Sequence, residues 1–235
     1  MNKKVMLITG TSQGIGRHLA EHYASDVFFV IGCSRRSSVI ENDNYQHFEL
    51  DIIDEKAIKK MFSNIRKTYG RLDVLINNAG LASKNYAALT SGETMLKVLQ
   101  TNTIGSMLTC REATRIMRKK KFGRIVNISS LHVPLCFKGT SVYGASKAGI
   151  EQFARVLARE MYPEGITVNN LELSAVKGSG MVETVNLSDE IMNDILEHTI
   201  SKAWLEMEDV WHTIDFLISK KSEKISGQTI FLGGI

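Results

Sequence analysis

The sequence predicts a doubly wound α/β domain built on a parallel sheet. Three observations predict it. Short runs that are almost wholly apolar read as strands, the segments between them carry helical spacing, and the two alternate along all 235 residues. Strands apolar on both faces suit a sheet covered by helices on both sides. Strand–helix alternation then implies right-handed crossovers and one layered domain. Composition agrees. With 43% apolar and 23% charged residues, the chain has ordinary globular usage, which excludes a disordered one. Only two prolines leave few breaks, so long helices and strands are expected. A chain of this length buries roughly three-quarters of its surface in one core, and no Pro-, Gly- or Ser-rich linker or repeat divides it.

The first strand is expected at residues 5–9. Its apolar run, Val5-Met6-Leu7-Ile8, is too short for a signal peptide's apolar segment. Thr9-Gly10-Thr11-Ser12-Gln13-Gly14-Ile15-Gly16 follows, and Ile15, Leu19, Ala20 and Tyr23 then take helical spacing. A strand-to-helix turn needs glycine for its backbone angles and for close approach of a phosphate. The helix N-terminus offers N–H groups and a positive dipole to a pyrophosphate. The second strand, 27–32, ends at Gly32-Cys33-Ser34-Arg35-Arg36. An acidic residue here would hold a ribose diol, whereas arginine accommodates a 2′-phosphate. No acid lies between residues 32 and 40, and a guanidinium binds phosphate bidentately. NADP(H) is therefore expected over NAD(H), with Ser34, Arg35 and Arg36 facing the phosphate.

The third strand, 47–50, leads into Asp51, which lies near an adenine or caps the next helix. That helix carries Ile58, Met61, Phe62 and Ile65. The fourth strand, 74–76, ends in Asn77-Asn78-Ala79-Gly80. Asn102 interrupts an otherwise apolar helical stretch. Arg115, Arg118, Lys119, Lys120, Lys121 and Arg124 cluster where a helix closes, a place that suits cations. Without an aromatic platform they do not indicate nucleic acid. The fifth strand, 124–128, ends in Ser129-Ser130, with His132 and Cys136 beyond it at the substrate side.

Tyr143 and Lys147 open a helix whose apolar positions are Ile150, Phe153, Ala154, Leu157, Ala158 and Met161. Residues four apart share a helix face. Tyrosine titrates near 10 when free. A cation about 4 Å away at an effective dielectric of about 20 stabilises phenolate by up to ~4 kcal/mol. Tyr143 is thus expected to be tuned toward neutrality, where a general acid–base works best. The sixth strand is expected at 167–171 and the seventh at 228–232. Between them, residues 175–206 are expected to form a substrate lid. Gly178 and Gly180 would be its hinge, and Ile191, Ile195 and Leu196 an apolar closing face. Trp204 and Trp211 read as core or lid residues. Three cysteines, an odd number without metal-ligand spacing, suit a reducing cytoplasm and give no metal site. No apolar run reaches the ~18 residues that span a bilayer. A net charge of +4 permits anionic ligands without implying nucleic acid.

Taken together, Thr9-Gly10-x-x-x-Gly14-Ile15-Gly16, Asp51-Ile52, Asn77-Asn78-Ala79-Gly80, Asn102, Ser130, Tyr143-x-x-x-Lys147 and Ser226-Gly227-Gln228 resemble the short-chain dehydrogenase/reductase family over essentially the whole chain. The resemblance implies a single-domain Rossmann fold, a seven-stranded parallel sheet with helices on both faces. It implies that Tyr143 exchanges a proton with substrate oxygen, that Lys147 lowers its pKa and holds the nicotinamide ribose, and that Ser130, not Ser129, polarises the carbonyl. Asn102 would bend its helix and anchor a relay water. Cofactor contacts are expected from Gly10, Ser12, Gln13, Gly14, Ile15, Gly16, Ser34, Arg35, Arg36, Asp51, Ile52, Asn77, Ala79, Gly80, Tyr143, Lys147 and Val176.

The implied activity is NADP(H)-dependent reduction of a small carbonyl compound, or the reverse. The alternatives are 3-oxoacyl reduction on a carrier protein and a non-catalytic NADP-binding regulator. Glu164, before Gly165-Ile166-Thr167-Val168-Asn169, would repel an acidic carrier. The family's Pro-Gly after the sixth strand is absent: Leu173-Ser174 stands there, and Ser179 is the candidate for the usual threonine. A homodimer or homotetramer is implied across the helix bearing Lys147, with Ile150, Phe153 and Leu157 available to that seam.

Overall fold

The computed structural model describes residues 3–179 and 195–235. Seven strands form one parallel sheet in the order β3-β2-β1-β4-β5-β6-β7. They are β1 (Lys4–Thr9), β2 (Phe28–Ser34), β3 (Tyr45–Glu49), β4 (Val74–Asn77), β5 (Gly123–Ser130), β6 (Ile166–Leu173) and β7 (Thr229–Leu232). Among the described residues the main helices are α1 (Gly14–Tyr23), α2 (Glu55–Thr68), α3 (Gly92–Leu99), α4 (Ser106–Met117), α5 (Ser141–Met161) and α6 (Met207–Ile218).

Side-chain alternation along β1 explains why the core is double. Val5 and Leu7 face α2, α4 and α5, joining Ile58, Met61, Ile65, Met117, Ala154 and Leu157. Met6 and Ile8 face α1 and α6, joining Leu19, Ala20, Val210, Ile214 and Leu217. Burying each such side chain stabilises the fold by ~1.5–3 kcal/mol, and a sheet loaded on both faces cannot slip register by one residue.

Helix starts follow local chemistry. Asp54 caps α2, accepting from the N–H groups of Lys56 at 2.9 Å and Ala57 at 3.1 Å. Asp51 does not cap it; its carboxylate accepts from Ile53 N–H at 3.2 Å. Helix α6 opens with a capping box between Glu206 and Asp209.

Ile150 and Leu157, expected at a subunit seam, are instead buried within the chain at 1% and 7% exposure. The reason is that α5 lays this stripe on β5 and β6. On α5 the exposed large aliphatic residue is Val156; Leu96, Leu99 and Ile104 are exposed as well.

One row of polar side chains crosses the sheet on the α4/α5 face. Asn77 donates to Asn127 at 2.9 Å, Asn127 to Asn170 at 3.1 Å, and Asn170 to Thr229 at 3.2 Å. These four are register partners on β4, β5, β6 and β7. Thr109 of α4 donates to Asn77 at 2.6 Å. Each satisfied bond is worth about 1 kcal/mol net, and an unmade one would cost more.

Part of the expected lid, residues 180–194, falls outside the described residues, Gly180 and Ile191 among them. Its two ends are anchored. Leu205 N–H donates to Ala175 at 2.8 Å and Lys177 N–H to Leu205 at 3.0 Å, while Lys177 pairs with Glu206. Ala175, Ile195, Leu196, Phe137 and Trp204 form a small apolar cluster there. Trp211 packs on the α1 side and stacks on His22 at 4.2 Å.

Candidate active site

The glycine turn sits between β1 and α1 at the carboxyl edge of the sheet. Gly10 holds φ +79° and its N–H donates to Cys33 at 2.7 Å. A Cβ on Gly16 would lie 2.3 Å from Gly10 O and 2.4 Å from Asn78 Nδ2, so only glycine fits. Asn78 donates to Thr9 O at 2.9 Å, and Thr9 Oγ1 accepts from the N–H groups of Asn78 and Ala79, each at 3.0 Å. Asn78 thereby locks the turn to the end of β4, a role the sequence pattern did not single out. No side chain caps α1 and no acid occupies its first turn. Its leading N–H groups and dipole are therefore open to an anion, with Ser12, Gln13 and Ile15 alongside.

At the end of β2, the Arg36 guanidinium hydrogen-bonds Gln13 Oε1 and so folds over the turn; Arg35 is exposed. Ser34 donates to Arg36 O at 2.7 Å. His47, from β3, reaches Ser34 Oγ at 3.1 Å and Tyr45 Oη at 2.8 Å. Burial lowers the His47 pKa. Strand pairing of β2 with β3 creates this cluster, so His47 and Tyr45 carried no signal in the sequence. Ile52 is buried against Gly105, and Asp51 stands beside it. Asn77 spends its side chain on the buried row rather than on the cleft. Val176 is also turned into the core.

Asn102 lies in a π-helical turn, Gln100–Gly105, that joins α3 to α4. It is 1% exposed. Its Oδ1 accepts from Leu81 N–H at 2.7 Å, and its Nδ2 donates to Leu81 O and Ser146 Oγ, both at 2.9 Å. A π-turn is how a helix admits such an interruption. Lys147 donates to Ile128 O at 2.8 Å and lies 5.9 Å from the Tyr143 ring centroid. A Cβ on Gly80 would come 3.3 Å from Asn102 Oδ1 and 3.6 Å from Lys147 Nζ. The bare face of Gly80 thus opens onto both.

The two serines ending β5 point to opposite sides. Ser129 binds Glu151, whereas Ser130 hydrogen-bonds Tyr143 and lies 2.9 Å from His132 Nδ1. The His132 ring stands edge-on to Tyr143 at 5.4 Å. Burial, then the charge of Lys84, pushes His132 down to about 4, so it is neutral at pH 7. Burial likewise pushes Lys147 down to about 8, with the Glu151 charge pulling the other way. For Tyr143, burial raises the phenol and the Ser130 hydrogen bond offsets part of that. The expected drift toward neutrality is therefore not present in the protein alone, because desolvation of the phenolate outweighs its neighbours. Cys136 is exposed. Among the described residues, no group of three or more His, Cys, Asp or Glu side chains is arranged to hold a metal, and no helix is long and apolar enough to cross a membrane.

Comparison with known proteins agrees with this geometry. A family model described as short chain dehydrogenase matches residues 4–190. The 3-oxoacyl-acyl-carrier-protein reductase FabG of Haemophilus influenzae is 32% identical over 240 residues, spanning 100% of this chain and 98% of its own. FabG of Escherichia coli is 30% identical, spanning 98% and 96%. The structure of ElxO with NADP bound matches at TM-score 0.88 and 27% identity, over 97% of this chain and 96% of that one. An actinorhodin polyketide ketoreductase variant shares the fold at TM-score 0.88 and 23% identity, over 99% and 96%. The family match covers most of the sheet, the glycine turn and the Ser130–Tyr143–Lys147 cluster, and on that ground the chain belongs to the short-chain dehydrogenase family.

Proposed function

We propose that this protein is an NADP(H)-dependent reductase of small carbonyl compounds, acting as an alcohol dehydrogenase in reverse. The observation that carries the reading is the convergence of Ser130, Tyr143, Lys147 and Asn102 beside the bare face of Gly80. Relatives named as reductases and a structural neighbour with NADP bound support it.

The residues present fit a dinucleotide phosphate. Gly16 leaves its neighbours no room for a side chain, α1 is uncapped, and Arg35 and Arg36 meet no acid before residue 40. Gly10, Gly14 and Gly16 would take the pyrophosphate, and Arg35 or Arg36 the 2′-phosphate. When bound, the nicotinamide supplies a hydride to the carbonyl carbon. Ser130 would donate a hydrogen bond to the carbonyl oxygen, which makes the carbonyl carbon a better hydride acceptor. Tyr143 passes that oxygen its phenolic proton. Lys147, as an ammonium, stabilises the phenolate left behind. Asn102 holds the 81 backbone and the π-turn in place around them. Neutral His132 keeps Ser130 oriented.

Glu164 pairs with Arg118 at 3.2 Å, which offsets the charge that would repel an acidic carrier. Acyl thioesters therefore belong among the substrates to be tried. A second reading rests on Tyr143 being only 6% exposed, as in a protein that binds cofactor without turnover. Exposed Leu96, Leu99, Ile104 and Val156 support a homodimer or homotetramer. Buried free Cys33 and Cys110, both raised to about 12 by burial, are inert thiols that suit the cytoplasm. NADPH oxidation measured with acyl thioesters, keto sugars and quinones tests the proposal. Turnover supports a reductase; NADPH binding with no turnover supports the second reading.

A further inference from the structure

Helix α5 carries Tyr143, Lys147, Glu151 and Arg155 at four-residue spacing, so they form one stripe. Tyr143, Lys147 and Glu151 are buried at 6%, 4% and 3% exposure. Across from them, Ser129 of β5 and Glu172 of β6 are register partners. The Ser129 hydroxyl donates to Glu151 Oε1, and Glu172 shares a hydrogen bond with Glu151. Glu172 is 1% exposed and its Oε2 has no partner. Two carboxyl groups thus meet in the interior one helical turn from Lys147. The charged groups facing them, Lys147 and Arg155, both come from α5; Arg155 Nη2 is 3.8 Å from Glu151 Oε2. From the sheet, β5 presents the Ser129 hydroxyl, β6 the amide of Asn170 in the row below, and β7 the phenyl ring of Phe231 as register partner.

Two carboxylates in one buried place repel and are poorly solvated, so one of them keeps its proton. We propose that Glu151 and Glu172 are positioning residues for the Tyr143–Lys147 couple. They share one proton, and the single negative charge left on the pair holds Lys147 as an ammonium beside Tyr143. In that arrangement Glu172 donates its O–H to the Glu151 carboxylate, which also accepts from Ser129. Burial and the Glu151 contact push Glu172 up to about 9, which fits its role as the donor. Lys147, pushed down to about 8 by burial, needs a counter-charge to stay protonated. The Lys147 Nζ–Ile128 bond ties the ammonium to the residue before Ser129, so the pair and the lysine share one wall.

This inference rests on the catalytic reading of Tyr143 and Lys147, but its test does not require turnover. The ¹⁵Nζ resonance of Lys147, assigned by its loss in K147M, is titrated by NMR in wild type, E172Q, E151Q and E151Q/E172Q. E172Q keeps the hydrogen bond and the single charge, so the Lys147 midpoint stays where it is in wild type. E151Q/E172Q removes the charge, and the midpoint falls by about one pH unit or more. E151Q alone moves it the same way, because burial keeps Glu172 protonated, and it serves if the double variant fails to fold. Where the protein turns over a carbonyl, the alkaline limb of kcat against pH moves with the midpoint. A purely structural role would lower kcat at every pH and leave the limb in place. An unchanged Lys147 midpoint in E151Q overturns the proposal, whatever the activity; a shifted midpoint in a protein without turnover upholds it and sinks the reductase reading instead.

Discussion

Gly16→Ala tests the glycine turn at a single atom. The added methyl would sit 2.3 Å from Gly10 O and 2.4 Å from Asn78 Nδ2, about 1 Å inside ordinary contact. Neither neighbour is free to yield. Gly10 holds φ +79° and donates to Cys33, and Asn78 is fastened to Thr9 at 2.9 Å. Overpacking of this kind costs ~1–3 kcal/mol, and the better helix propensity of alanine returns at most ~1 kcal/mol. A net loss of about 1–2 kcal/mol lowers Tm by roughly 2–8 °C in a chain of this size. The same displacement moves the N–H groups that would face phosphate, so NADPH affinity falls at least about tenfold, equivalent to ~1.4 kcal/mol. Gly92→Ala is the control. It too lies in the first turn of a helix, but its added methyl meets nothing within 4 Å, so stability is unchanged or rises by up to ~1 kcal/mol. Thermal unfolding by circular dichroism and NADPH titration by fluorescence read both variants. A Gly16→Ala protein with wild-type Tm and wild-type NADPH affinity would refute the reasoning.

The remaining predictions concern chemistry, cofactor choice and pH. Tyr143→Phe lowers kcat/KM by ~10²–10⁴ with NADPH binding nearly intact, whereas Lys147→Met damages both; steady-state rates beside binding titrations separate the two. Ser34→Asp combined with Arg35→Ala moves preference toward NADH, read as the ratio of the two dissociation constants, and a wild-type protein that binds both equally would contradict the assignment of Arg35 and Arg36. Glu172 is raised from 4.5 to about 9, so the folded chain keeps a proton that the unfolded chain releases. Its stabilising contribution is complete below the ordinary carboxylate range and is lost as pH rises through the raised folded value, about 9. Glu172→Gln removes that decline, so the Tm difference between variant and wild type grows in the variant's favour from pH 7 to 9. The acid-side trend from His132, held down to about 4, lies below this window.

Much of the sheet was legible because its signals are local. All seven strand positions follow from apolar runs, and the glycine turn from its place between the first strand and the first helix. Contacts made by register were not legible. Asn77, Asn127, Asn170 and Thr229 are far apart in sequence, and only the pairing of four strands sets them in one row. Glu151 and Glu172 are likewise joined by how α5 lies on β6. His47 reaches Ser34 because β3 pairs with β2. The seam residues Ile150 and Leu157 were misjudged because periodicity marks an apolar stripe without saying which surface covers it. Asp51 and Asp54 both suit an N-cap by type; it is the Asp54 carboxylate that reaches the Lys56 and Ala57 N–H groups, whereas Asp51 accepts from Ile53.

The most direct test of the central claim is the initial rate of NADPH oxidation by wild type and Tyr143→Phe across acyl thioesters, keto sugars and quinones. The account predicts that at least one carbonyl class is turned over by the wild type, with NADPH preferred to NADH. It predicts a loss of about a hundredfold or more in Tyr143→Phe. Tight NADPH binding with no turnover of any compound, or a Tyr143→Phe rate within about tenfold of wild type, would contradict it.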